Sequence, residues 1–356
     1  MKWTFLSSVV LLSLVGLSFV YSAGTYWGQV HYGNSAPFLL KQAIYLAIAG
    51  TLAYAITKSE LIRNEKFWNV IYILSLLLLV AVLIPGIGVV RNGSQSWIAL
   101  GPINLQPAEF AKIALLAKLS CKLSVVPQRG KIFNYLHFIL ILLPAGLIML
   151  QPDFGSAVIL VVSAFILLLI AGYPMKFFVL LAFLGVGALT ALIASAPYRL
   201  DRIKAYLDPW SDPLGTGFQG IQSLMAIGPA GLFGHGYGYS RQKYLYLPEP
   251  QNDFIFSIIA EEIGFIGASA VLFLFFIMIM SGFGLAARAG SQLAFFMIVS
   301  IISMIGFQTF LNVGVVIGLL PVTGVTLPFI SYGGSSLLAA WICVGIILNF
   351  STHKKN

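Results

Sequence analysis

Long apolar stretches separated by short polar segments dominate the chain, and their length decides what they are. A helix crossing a hydrocarbon core needs about 20 mostly apolar residues. Ten stretches qualify: about 3–23, 38–57, 67–86, 107–123, 132–150, 155–172, 177–196, 253–286, 291–318 and 332–350. The expected architecture is therefore all-α, a polytopic integral membrane protein of ten transmembrane helices forming a single domain over 1–356. The first stretch runs from Lys2 to about Val20 and ends in Tyr21-Ser22-Ala23-Gly24, which resembles a signal peptide. With so many spans behind it, an uncleaved first helix is the expectation. The eighth stretch is long, and Gly264 and Gly267 mark an expected bend within it.

Most connections between the stretches are short, as packed hairpins require. Two are longer. Residues 86–106 form one loop, and 197–252 form a 56-residue loop between the seventh and eighth stretches. The second contains Trp210, Phe218, several tyrosines and many glycines, which is too aromatic for ordinary disorder. It is expected to pack on one face of the bundle, with short helices lying in the interface. No internal repeat is visible, which weakly disfavours a transporter built from two related halves.

Composition removes the soluble alternative. The chain is 59% apolar and only 9% Asp, Glu, Lys and Arg, whereas a soluble chain carries roughly 25% charged residues. The net charge of +9 is scattered between apolar runs and not clustered with aromatics, so no nucleic-acid partner is expected. Cys121 and Cys343 lie in apolar segments and make neither a disulfide framework nor a metal site. His31, His137, His235 and His353 are isolated from one another.

The cations set an orientation. With the N-terminus inside, the inner side holds Lys2, Lys58, Arg63, Lys66, Lys118, Lys122, Arg129, Lys131, Lys176, Arg288, Lys354 and Lys355. The outer side holds Arg91, Arg199, Arg202, Lys204, Arg241 and Lys243, while Lys41 and Lys112 fall within the outer ends of helices. An even number of helices then puts both termini in the cytoplasm. The acids run the other way: of eleven, only Glu60 and Glu65 lie in an inner loop. The polar chemistry is expected on the outer half.

Two constellations carry candidate chemistry. In Leu247-Pro248-Glu249-Pro250-Gln251-Asn252-Asp253-Phe254-Ile255-Phe256, Asp253 stands where the long loop enters the eighth helix. An aspartate there either caps the helix or serves as an acid or base. The loop brings Arg199, Arg202, Lys204, Arg241 and Lys243 to the same face, as an anionic substrate would require. In Gln106-Pro107-Ala108-Glu109-Phe110-Ala111-Lys112, Glu109 and Lys112 share one helix face. Lys112 either snorkels outward from a local ion pair or faces an interior cavity and meets a phosphate. Glu261 and Glu262 are adjacent, so they are not expected to face the same way, and a structural contact for one of them is the plainer reading. Gly234-His235-Gly236-Tyr237-Gly238 matches no phosphate-binding motif and reads as tight backbone packing. Asn312, Gly314, Gly318, Pro321, Thr323-Gly324 and the 328–336 segment read as a structural turn.

Taken in order, these blocks resemble the SEDS family (shape, elongation, division and sporulation) of FtsW, RodA and SpoVE. The blocks are Arg91-Asn92-Gly93-Ser94 with Trp97-Ile98, Gln106–Lys112, Gln151-Pro152-Asp153-Phe154-Gly155-Ser156, and Asp208-Pro209-Trp210-Ser211-Asp212-Pro213. Gly217-Phe218-Gln219, Gln222-Ser223, Ser240–Phe256 and Leu327–Ser336 complete them. The forms around Trp97 and Glu249 look closer to the FtsW/SpoVE branch than to RodA. The resemblance implies ten transmembrane helices and polymerisation of peptidoglycan from lipid II, an undecaprenyl-diphosphate-linked disaccharide-pentapeptide. It implies that Asp253 is catalytic, and that Glu109, Lys112 and Trp97 belong to the substrate site. Gln95-Ser96 stand where relatives often carry arginine, leaving Arg91 as that loop's cation, and Asn252 replaces the usual threonine.

The mechanism expected on this basis has Asp253 taking a sugar hydroxyl proton. Lys112, Arg199, Arg241 and Lys243 are candidates to stabilise the departing diphosphate. Magnesium or manganese is a candidate cofactor, although no dedicated cage is visible. The family also implies a class B penicillin-binding protein as partner, with other divisome or elongasome proteins, in the bacterial cytoplasmic membrane. A lipid II flippase and a non-catalytic scaffold are the rival readings. The first needs access from both faces, and the second makes Asp253 and Lys112 dispensable.

Overall fold

The computed structural model describes residues 1–91, 93–101, 103–125, 135–179, 206–244 and 246–352, together with 183, 185 and 187. Helices α1 (Lys2–Tyr32), α2 (Pro37–Lys58), α3 (Glu65–Leu83), α4 (Pro107–Val125), α5 (Tyr135–Leu150) and α6 (Phe154–Ile170) match the first six expected spans. After a short loop helix, α7 (Phe218–Ile227), the bundle resumes with α8 (Ile255–Ala287), α9 (Gln292–Val316) and α10 (Gly334–Phe350). Most of the expected seventh span, 177–196, lies outside the described residues, as do Arg199, Arg202 and Lys204 and the Arg91 side chain. Five of the described helices are long and apolar enough to cross a membrane by length and composition.

Local chemistry sets the ends of several helices. Asn64, Asp153 and Ser291 cap α3, α6 and α9 by accepting from the backbone N–H of Lys66, Ser156 and Ala294. Pro37 opens α2, where its missing N–H costs nothing. The first helix runs past its expected end at 23 to Tyr32, and stops at Gly33 with φ 64. Its added turns are covered by aromatic packing: Trp27 stacks on His31 at 3.6 Å, and Phe38 meets Tyr332 edge-on at 5.0 Å.

The most enclosed helix is the one with most charge. Packed against α4 are α3, α5, α6, α9 and α10, and Ala108, Ala114, Leu115, Leu116, Ala117 and Leu119 are fully buried. Because α4 does not face lipid along its length, Glu109 and Lys112 can be carried within the bundle.

Residues 86–106, expected as a loop, fold instead into an antiparallel sheet of β1 (Gly88–Arg91), β2 (Ser94–Leu100) and β3 (Ile103–Leu105), in that order. Alternation explains it: Ser96 and Ile98 turn inward on β2 while Ala99 is exposed. Gly93 and Gly101 take positive φ at the two turns.

At Gly264, φ 68 and ψ −171 interrupt α8, as expected of this glycine. The interruption is filled by the long loop. His235 and Gly236 donate to the carbonyls of Glu261 and Glu262 at 3.0 and 2.9 Å, while Phe265 and Ile266 donate to those of Gly231 and Leu232 at 3.0 and 3.1 Å. Four backbone groups beside the break thus find partners in the loop, as burial demands. The crossing is so close that a Cβ on Gly234 would lie 2.3 Å from the Glu262 carbonyl oxygen.

The adjacent glutamates differ from expectation, because both carboxylates grip the same loop segment. Glu261 accepts from Ser240 Oγ at 2.5 Å and from the Arg241 N–H at 2.8 Å. Glu262 accepts from Ser22 Oγ at 2.5 Å and from Lys243 Nζ at 3.3 Å. A loop that wraps across the helix break can reach both side chains, which a straight solvent-facing helix would not allow.

Candidate active site

The turn that carries Asp253 is held from three sides. Leu247 is fully buried and its N–H donates to the Gln242 carbonyl at 3.0 Å. Glu249 takes φ 44, unusual for a residue with a side chain, and receives the Asn252 N–H at 3.0 Å and Asn252 Nδ2 at 2.6 Å. The Tyr332 N–H donates to the Gln251 carbonyl at 2.8 Å, and Asn312 Nδ2 donates to the Asp253 carbonyl at 2.7 Å.

Asp253 is not a helix cap. The cap position of α8 falls on Phe254, without a side-chain hydrogen bond. Among the described residues the carboxyl accepts only its own backbone N–H, and burial, followed by the nearby Glu249 charge, pushes it up from 3.8 to about 6. A half-buried carboxyl free of structural duty and near neutrality has the properties of a general base.

Lys112 faces the interior and does not snorkel. It is 1% exposed, with Nζ 2.9 Å from Glu109 Oε1 and 3.1 Å from Gln308 Oε1. Gln308, on α9, also donates Nε2 to the Thr326 carbonyl at 3.0 Å. One turn further, Asn312 Nδ2 reaches both Asp253 and the Val325 carbonyl, each at 2.7 Å. Lys112 and Asp253, from α4 and the start of α8, are thus joined through α9 and one strand of the α9–α10 loop.

The other expected residues are placed differently. Trp97 is half-buried on β2 opposite Val89, and its sheet is tied to the bundle where Ser94 Oγ donates to the Gln151 carbonyl at 2.5 Å and Ser335 Oγ to the Asn104 carbonyl at 2.8 Å. Arg241 is exposed, with its backbone anchored on Glu261. Lys243 is 4% exposed, its ammonium held by Glu262, Ser22 Oγ and the Gly238 carbonyl, so it tethers the loop to the bundle. Among the described residues no three His, Cys, Asp or Glu side chains gather as a metal cage.

Gln308 escaped the sequence reading, and Asn312 was read as part of a turn. A signal existed: both are amides four residues apart in a mostly apolar helix without a charged residue. A rim of further polar contacts also went unread. Gln106 Nε2 donates to Asp153 Oδ2 at 3.0 Å and the Gln106 N–H to Ser335 Oγ at 3.1 Å, which gathers the first turns of α4, α6 and α10.

The chain is similar to several known proteins along nearly its whole length. Stage V sporulation protein E of Bacillus subtilis is 44% identical, over 97% of this chain and 95% of its own length. A protein of Geobacter metallireducens named probable peptidoglycan glycosyltransferase FtsW is 39% identical over 97% of this chain and 93% of its own. A solved peptidoglycan synthase complex, described as coordinating polymerisation and crosslinking, contains a chain that superimposes with TM-score 0.77 at 32% identity, covering 98% of this chain and 97% of that one. The crystal structure of the Thermus thermophilus rod shape determining protein RodA matches with TM-score 0.74 at 28% identity, over 99% and 97%. The family model of the FtsW/RodA/SpoVE cell cycle proteins spans residues 2–356, and the chain belongs to that family.

Proposed function

We propose that this multi-pass membrane protein is a peptidoglycan glycosyltransferase that polymerises glycan strands from lipid II at the outer face of the cytoplasmic membrane. The observation that carries the reading is the pairing of an uncommitted, half-buried Asp253 with a buried cation, Lys112, through α9. In the reaction Asp253 takes the proton of the attacking sugar hydroxyl. The oxygen bonds to the anomeric carbon of the second substrate, and the bond from that carbon to the lipid diphosphate breaks. The diphosphate leaves with the electron pair, and Lys112 is the cation assigned to receive its charge, with Glu109 setting the ammonium's direction. Arg241, exposed on the loop, is free to add a bidentate phosphate contact. Trp97 belongs to the substrate site by family resemblance, and Arg91 is the cation that its loop offers.

A magnesium or manganese ion would rely chiefly on the substrate's diphosphate, because Asp253 and Glu249 are the only carboxylates of this turn. No step is routed through it. The names of the relatives support the reaction class, and the synthase complex supports a class B penicillin-binding protein as the crosslinking partner. Both termini lie in the cytoplasm in this reading, and the protein works with the other divisome or elongasome proteins.

The test is polymerisation of purified lipid II by the protein with its cognate partner, whose transpeptidase site is blocked. Wild type is expected to make long strands and Asp253→Asn none, with both complexes folded. Strands from Asp253→Asn would remove Asp253 as the base. No strands from either would turn the question to lipid II movement across the bilayer.

A further inference from the structure

Gln308 and Asn312 lie four residues apart on α9 and so share one face. Their amides can take only one orientation each. Gln308 Nε2 is held by the Thr326 carbonyl, which leaves Oε1 to the Lys112 ammonium. Asn312 Nδ2 bridges the carbonyls of Asp253 and Val325, and a flipped amide would set its oxygen against both. The two residues are 6% and 1% exposed, and both amide nitrogens are committed to backbone carbonyls. Since Val325 and Thr326 are consecutive, both amides hold the same strand of loop. One rigid turn of helix therefore lies between the cation and the backbone that carries the carboxylate.

We infer that Gln308 and Asn312 are positioning residues that set the separation of Lys112 from Asp253, so that base and diphosphate cation act on one substrate pair. This rests on the glycosyltransferase reading above. The two amides do different work. Asn312 governs where the carboxylate stands relative to the attacking hydroxyl, which matters in the transition state. Gln308 governs where the ammonium stands, which matters while the diphosphate is bound and as it departs. Misplacement of a reacting group by about 1 Å costs on the order of 100-fold in rate.

The experiment measures kcat and KM for lipid II polymerisation with the partnered protein, together with thermal unfolding of each complex. Asn312→Leu, close in size but without the amide, is expected to lower kcat about 10- to 100-fold with KM within about threefold. Gln308→Met is expected to raise KM and lower kcat together, whereas Gln308→Glu, which keeps an acceptor for Lys112, should restore KM. The double variant Asn312→Leu/Gln308→Met should lose less than the product of the single losses, because both act through the Val325–Thr326 strand. Wild-type kcat and KM per folded molecule in Asn312→Leu and Gln308→Met, beside an inactive Asp253→Asn, would overturn the inference and leave the catalytic reading standing. Full activity of Asp253→Asn would overturn both. Should Asn312→Leu fail to fold, the comparison of Gln308→Met with Gln308→Glu decides, and equal KM values there would also overturn it.

Discussion

At Asp253 catalysis and stability pull in opposite directions. A base is most useful when its pKa lies near the working pH, and burial brings this carboxyl from 3.8 to about 6. The same burial penalises the charged form. In the unfolded chain the group loses its proton near 3.8, and in the folded protein near 6, so the folded state holds the proton more tightly between those values. The stability it contributes is present below about 3.8 and lost as pH rises through about 6. Two pKa units correspond to about 3 kcal/mol, an upper bound for a half-buried group. Asp253→Asn is therefore expected to unfold at higher temperature than wild type at pH 7.5, with the difference vanishing toward pH 4. Wild-type polymerisation should rise with pH through about 6. Equal unfolding temperatures at pH 7.5 would mean that burial does not strain the carboxylate. The aspartate's place at the head of the eighth span was legible in the sequence, but its freedom from capping was not. That freedom depends on Tyr332 and Asn312, distant in sequence, seating the turn so that Phe254 takes the cap position.

The element with most at stake outside the site is the interrupted helix α8. Gly264 was legible as a bend, because a glycine within a long apolar span is the usual place for one. What fills the interruption was not, since the partners at 231–236 belong to a loop whose glycines resemble many others in the chain. Lys243 shows the same limit. As a cation among loop cations it looked like a phosphate contact, yet it neutralises Glu262, whose carboxylate is fully buried on α8. Removing one member of such a pair leaves a buried charge unpaired, at a cost of about 3–5 kcal/mol, while removing both is far milder. Lys243→Met should lower the unfolding temperature sharply, and Lys243→Met/Glu262→Gln should recover most of the loss. A double variant no better than the single would show that the pair does not act as a unit. The sheet at 88–105 was missed for a different reason. Its alternation is short, and a stretch between two spans reads as loop unless its pairing across Gly93 and Gly101 is recognised.

Across the whole molecule, polar chemistry is divided between two ends. At one end Glu65 pairs with Lys122 at 2.8 Å, and Arg63 forks onto Asn349. At the other, the Gln106–Asp153–Ser335 rim, the long loop and Asp253 come together. Between them the helices expose large apolar side chains such as Leu77, Leu142 and Phe273, as contact with lipid tails requires. In the orientation proposed above, the first end is cytoplasmic, so strands would be made outside, where the wall lies. The two native cysteines, Cys121 and Cys343, are buried and give little background for labelling. Leu214→Cys, at a position 88% exposed on the loop, is expected to react with a membrane-impermeant maleimide in intact cells. Lys66→Cys, exposed near Glu65, should react only after the membrane is opened. The reverse pattern would put Asp253 on the cytoplasmic side, where a growing strand has no route to the wall. It would then favour a role in handling lipid II before export over polymerisation.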